Sequence, residues 1–202
     1  MRTVLIALSI GLLASVVPGP QVACQDRDAI DLFGRNMKDW SRLGTGRNPW
    51  KLTASNTLYV ERANDIYVAE QNFGDGTLTF EYRFTPTEEK TGYNAAVSIR
   101  RSAESSGCKV ALGDDCGALS VSFVSASDRE KSVQTKPADN FAKPIGDWNT
   151  VEIKTIGRSV EVIINGRTTA SFDNANERGL IGLHAEGSAI EFREVIWREA
   201  GR

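Results

Sequence analysis

His184 is the only histidine in the 202-residue chain, and Glu186 follows it by two positions. Residues i and i+2 of a strand share a face, so an imidazole that titrates near neutrality and a carboxylate stand one pleat apart. That is material for general acid–base chemistry; equally, a half-exposed strand histidine serves as an ordinary polar surface group. Strand parity turns Glu81, Arg83, Ser98, Arg100, Ser120, Ser122, Gly182 and His184 outward, and Tyr82, Phe84, Val97, Ile99, Val121 and Phe123 inward. Hydrolysis of an acetal commonly takes two opposed carboxylates, and Glu81 and Glu186 are the pair that parity allows on one face. Glu81 serves equally as the salt-bridge partner of Arg83 or Arg100. Ser120 and Ser122 lack the sharp strand-to-helix turn that exposes a catalytic serine. Together the outward set leaves room beside small side chains and supplies directional hydrogen bonds to hydroxyls. The competing reading is a solvated face laced with cross-strand ion pairs.

Other residue types carry less. Cys108 and Cys116 bracket a loop-like Lys-Val-Ala-Leu-Gly-Asp-Asp stretch and read as a disulfide; two cysteines and one histidine make a poor zinc site. Asp75, Asp114 and Asp115 lack the spaced oxygen ligands that calcium needs and read as turn residues. No metal and no cofactor is expected, since no phosphate-cradling glycine loop is present. Trp148 and Trp197 flank apolar-alternating strands and read as core or rim packing, whereas Trp50, beside Pro49 in a polar stretch, is expected to be exposed.

The elements that must position these groups are strands. Leu78, Phe80, Tyr82 and Phe84 alternate with Thr79, Glu81 and Arg83. Similar runs cover 57–61, 65–70, 93–101, 117–125, 148–156, 159–164, 167–172 and 189–197. Asn165-Gly166 predicts a type I′ hairpin, because both central residues take positive φ, and Gly157-Arg158 turns the preceding one. Short strands without helices between them imply a sandwich or barrel, here one domain over 31–198. A 41% hydrophobic, 25% charged composition is that of a globular chain, and a net charge of −2 lacks the basic footprint of a nucleic-acid binder. Arg2, an apolar run from Val4 to Val17 and Pro18-Gly19-Pro20 have the layout of a signal peptide over 1–24; the run is too short to span a bilayer. Val22-Ala23-Cys24 also fits a lipoprotein signal, in which Cys24 would carry a lipid anchor. The expected location is secreted, periplasmic or envelope-associated.

Several phrases resemble, in order, the 3-keto-disaccharide hydrolase domain family, formerly a domain of unknown function. Asp31-Leu-Phe-Gly-Arg-Asn-Met-Lys-Asp-Trp40 is similar to its "LFNGKDLSGW" opening, and Thr79-Phe-Glu-Tyr-Arg83 to its "L-x-x-E-[FY]-R" strand. Tyr93 to Arg100 resembles "NSGIxxR", and Ile145-Gly-Asp-Trp-Asn149 with Ile164-Asn-Gly166 resembles "GEWN…lNG". Gly179-Leu-Ile-Gly-Leu-His184 and Ile190-Glu-Phe-Arg193 resemble "GxIGLQ" and "VxFRNI". The departures fall on polar positions. Ser120 and Ser122 stand where "YExQ" would put a carboxylate and an amide, His184 replaces the Gln, Glu186 stands where a His is frequent, and Glu194 replaces the Asn.

The resemblance implies an all-β, two-sheet antiparallel β-sandwich, a concanavalin A-like jelly roll, whose outward groups line a concave sheet. It implies carbohydrate as partner and cleavage of a glycosidic bond in a keto-sugar. The catalytic candidates are then His184, Arg100 and Glu81, with Arg83, Ser98, Ser120, Ser122 and Glu186 binding substrate. A 3-keto group acidifies the neighbouring C–H, so His184 as base and Arg100 as enolate stabiliser form a minimal site. The alternatives are a non-catalytic carbohydrate-binding module and a structural β-sandwich of the cell envelope.

Overall fold

The computed structural model describes residues 29–61, 63–87, 92–102, 106–124, 130–137 and 139–201. The expected signal peptide and Cys24 lie outside the described residues. Among these residues no helix is long and apolar enough to cross a membrane.

In chain order the elements are β1 (Ala29–Asp31), a 3-10 turn (Gly34–Met37), β2 (Trp40–Arg42), β3 (Trp50–Leu52), β4 (Leu58–Val60), β5 (Asn64–Phe73), β6 (Gly76–Phe84), β7 (Ala95–Arg101), β8 (Gly107–Ala111), β9 (Leu119–Val124), β10 (Glu130–Thr135), β11 (Asn149–Ile156), β12 (Ser159–Ile164), β13 (Arg167–Phe172), β14 (Gly179–Glu186) and β15 (Ile190–Glu199). They form two antiparallel sheets. The first runs β13-β12-β11-β6-β15-β4-β3, with β1 also on β15; the second runs β10-β9-β8-β7-β14-β5-β2. The all-β sandwich expected from the alternating runs is the fold.

Each sheet turns one set of alternating side chains into a shared core. Leu78, Phe80, Val151, Ile153, Val162 and Phe192 come from the first sheet, and Val97, Ile99, Val110, Val121, Ile181 and Leu183 from the second. Burying a side chain of this size stabilises by about 1.5–3 kcal/mol, so a one-residue register slip, which would exchange the faces of a strand, is strongly disfavoured. Asn165 and Gly166 take φ of 49° and 78°, as the hairpin requires. The Asn165 side chain also accepts from Thr150 N at 2.9 Å and donates to Phe141 O at 2.8 Å, pinning the loop that carries Trp148.

Three expectations need correction. Residues 108–111 are not loop but most of β8, paired to β7 and β9. The Cys108–Cys116 bridge is not formed: both are buried free thiols. Cys108 lies opposite Val121 while Ala118 hydrogen-bonds Ala111 at the far end of the hairpin, so Cys116 lies beyond three further strand positions. That is on the order of 10 Å of extended chain, against the roughly 4.4–6.8 Å between Cα atoms that a disulfide needs. Burial pushes the Cys108 thiol up to about 12, and Cys116 Sγ lies 3.1 Å from Tyr82 Oη. Trp50, finally, is buried: it stacks on Tyr67 at 5.7 Å, and Tyr67 stacks on Trp40 at the same spacing.

Candidate functional site

The outer face of the second sheet is the candidate site, and β14 runs through its middle between β7 and β5. Ile181, Leu183 and Ala185 point into the core, so Gly182, His184 and Glu186 face out. His184 is opposite Ala96 on β7 and Ile66 on β5. The small Ala96 leaves space for the ring, which is only 8% exposed. His184 Nε2 lies 2.9 Å from Ser98 Oγ, and that hydroxyl donates to Gly182 O at 3.4 Å. Nε2 then carries the imidazole proton and Nδ1 keeps the lone pair. Glycine at 182 is a geometric requirement, because a Cβ there would stand 2.6 Å from Ser98 Oγ and drive the two groups apart.

Burial foremost, and then the positive charges of Lys109 and Arg101, lower the His184 pKa to about 4. Its imidazole is therefore neutral across the physiological range. Lys109 is the functional neighbour that strand reading missed. The segment around it was read as a disulfide loop, whereas β8 carries it outward directly opposite Ser98, where it pairs with Glu186.

A cavity of about 330 Å³ opens beside His184, walled by Leu43, Asn64, Ile66 and Glu186. One wall is built from a distance. Asp65, buried behind it, accepts from Arg42 Nε at 2.7 Å and from Trp50 Nε1 at 3.2 Å. Arg42 in turn donates to Thr45 O and Gly46 O, both at 2.8 Å, and so holds the loop after β2 over the cavity.

The remaining predicted residues divide. Ser98 touches His184. Ser120 and Ser122 share the outer face, Ser120 opposite Lys109 and Ser122 opposite Gly107. Three strand spacings separate β9 from β14, about 14 Å, so these serines line the same surface without reaching the imidazole. Glu81 and Arg83 do not join them. They lie on β6, on the outer face of the first sheet, where Glu81 accepts from Arg193 Nε at 2.6 Å and Arg83 pairs with Glu191 at 2.9 Å. The sandwich stands between Glu81 and Glu186, so the two form no opposed carboxylate pair. Parity alone could not show this, since it fixes which side of a strand a residue takes but not which sheet the strand joins.

Arg100 is also absent from the outer face. Between Leu180↔Arg101 and Gly182↔Ser98 the register of β14 and β7 slips by one residue. At this bulge Arg100 takes φ 54°, and a bulge re-aims a side chain. The guanidinium is fully buried, donating to Gly157 O at 2.6 Å, Asn176 O at 2.8 Å and Asp75 Oδ1 at 3.1 Å. It ties three loops together at one end of the sandwich.

The 3-keto-alpha-glucoside-1,2-lyase-like domain profile matches residues 28–198. The chain belongs to that family. No curated protein matches its sequence. Among solved structures, it is similar to a protein of Parabacteroides distasonis classed as a glycosyl hydrolase, at TM-score 0.65 and 18% identity over 85% of this chain and 99% of the other. It is similar also to carbohydrate-binding module CBM66 of Bacillus subtilis (TM-score 0.60, 11% identity, 81% and 98% covered). A third is the β-glucanase of Bacillus licheniformis (TM-score 0.55, 8% identity, 86% and 97% covered). At these identities the likeness is one of fold, the jelly roll.

Proposed function

We propose that this protein cleaves 3-keto-glycosides by elimination, with His184 as the base. The observation that carries the reading is the neutral, Ser98-anchored His184 in the wall of a cavity on the outer face of the second sheet. A ketone at C3 acidifies the hydrogen on C2. His184 Nδ1 takes that proton, the C2–H electrons form the C1=C2 bond of a conjugated 3-keto-glycal, and the C1–O bond breaks with its pair on the departing oxygen. The low basicity of His184 makes its protonated form a ready donor to that oxygen. Lys109, next to Ser98 in register, supplies the positive charge that stabilises the enolate. This chemistry needs no second carboxylate, which accords with the distant placement of Glu81. The N-terminal charge and apolar run support a site of action outside the cytoplasm.

The test is ultraviolet detection of the conjugated glycal from 3-keto-disaccharides and their unoxidised parents. His184→Gln should cost about a hundredfold or more in turnover. Gly182→Ala, which displaces Ser98, should lower turnover while leaving the fold intact. Unchanged turnover in His184→Gln sinks the assignment. A wild-type protein that binds these sugars without turning them over supports instead a binding role, which the weak basicity of His184 also favours.

A further inference from the structure

We propose that the outer face of the first sheet is a second, non-catalytic saccharide-binding site, built on Trp148 and Tyr59. This face lies across the sandwich from His184, and the proposal stands whether or not His184 is a base. Trp148 was expected in the core or rim. It lies half-buried on the outside of the sheet, not in the core, its ring 3.9 Å from Arg193 Cζ and 4.6 Å from Arg83 Cζ. Beneath it, Glu191 faces Arg83 and Glu81 faces Arg193 across adjacent strands. Tyr59, half-buried on β4, is opposite Glu191 and closes the other side. The space between the two aromatic walls is a cleft of about 730 Å³, larger than the cavity at His184.

A cross-strand ladder of ion pairs needs no indole above it, and beyond Arg193 Nε to Glu81 and Arg83 to Glu191 this face keeps further donors in reserve. The Trp148 indole N–H, the Tyr59 hydroxyl and the two terminal nitrogens of Arg193 have no hydrogen-bond partner among the described residues. Planar guanidinium and carboxylate groups in fixed pairs present donors and acceptors at the spacing of vicinal hydroxyls. An aromatic face supplies the apolar surface on which the C–H side of a sugar ring packs. The cleft sets three carboxylates, Asp31, Glu191 and Glu194, against three cations, Lys51, Arg83 and Arg193. That balance selects a neutral ligand over a phosphate or a uronate, and the charged floor excludes a lipid. The backbones at Tyr59 and Trp148 are three strand spacings apart, about 14 Å, with the indole reaching back over Arg193; the cleft's volume of about 730 Å³ suits a short oligosaccharide rather than a single ring. Bound there, a glycan would hold the protein on its substrate without occupying the cavity of the second sheet.

Tryptophan fluorescence reads this face selectively, because Trp40, Trp50 and Trp197 are buried. The full chain is titrated with sucrose, trehalose, maltohexaose and cellohexaose. The expected result is a saturable shift with at least one hexasaccharide. In Trp148→Ala and, followed by calorimetry, in Tyr59→Ala, affinity should fall by about tenfold, the worth of one stacked aromatic contact. His184→Ala should leave binding unchanged. A thermal melt shows that each variant is folded; should Trp148→Ala not fold, Tyr59→Ala and Arg193→Gln carry the test. The proposal is overturned if none of the four sugars saturates the wild type into the tens of millimolar, or if the folded first-sheet variants bind as well as wild type. It is overturned equally if His184→Ala abolishes binding, which would assign the sugar to the second sheet.

Discussion

Lowering the pH should destabilise this protein through His184, and the size of the effect follows from its burial. In the unfolded chain the imidazole titrates near 6.5; in the folded one burial brings it to about 4. The folded state therefore binds fewer protons between those values. Its stability from this source is fully present above pH 6.5 and is lost as pH falls through 4. One pKa unit corresponds to about 1.4 kcal/mol, so the shift amounts to an upper bound of about 3.5 kcal/mol. Most domains have only about 5–15 kcal/mol in total. The assay is urea denaturation of the tag-free protein at intervals from pH 7.5 to 4, beside His184→Gln, which removes the titrating group and keeps hydrogen-bonding capacity. The wild type should lose stability more steeply than the variant over this interval. As the chain has one histidine, its ring resonances give the folded-state pKa without assignment ambiguity, and nitrogen shifts give the tautomer. A resonance titrating near 6.5, or parallel pH slopes in the two proteins, would refute the argument that burial against Ala96 and Ser98 keeps this ring neutral.

Two further outcomes separate structural from catalytic roles. Arg100→Ala should destabilise the fold by about 3 kcal/mol or more, since deleting this fully buried side chain leaves a cavity and strips the Gly157 and Asn176 carbonyls of their donor; that corresponds to about 6 °C or more in Tm for a domain of this size. Calorimetry checks it, and an Arg100→Ala protein that melts like wild type but has lost activity would restore the catalytic reading of this residue. In a Cys24→Ser background, Cys108 and Cys116 should resist a thiol reagent in the native protein and both react in denaturant, without prior reduction. A thiol count of zero in denaturant would show that they pair after all.

Much of the fold was written in strand periodicity. The alternation of Leu78, Phe80, Tyr82 and Phe84 and the Asn165-Gly166 turn are local signals, set by the pleat and by backbone sterics, and they hold in the structure. So is the outward aspect of His184, because β14 keeps strict alternation from Ile181 to Glu186. Lys109 was hidden because Gly107, Gly113 and Gly117 make the segment read as a loop. Its strand exists through pairing with β7 and β9, which no local pattern announces. Arg100 obeys parity in sequence and violates it in space, because a single-residue bulge depends on how β7 meets β14. Glu81 and Glu186 show the general limit. Sequence determined that each faces outward from its own strand. Only the order of strands in two sheets decided that they face opposite ways, with a hydrophobic core between them, since sheet membership is fixed by hydrogen bonds between residues more than 100 positions apart.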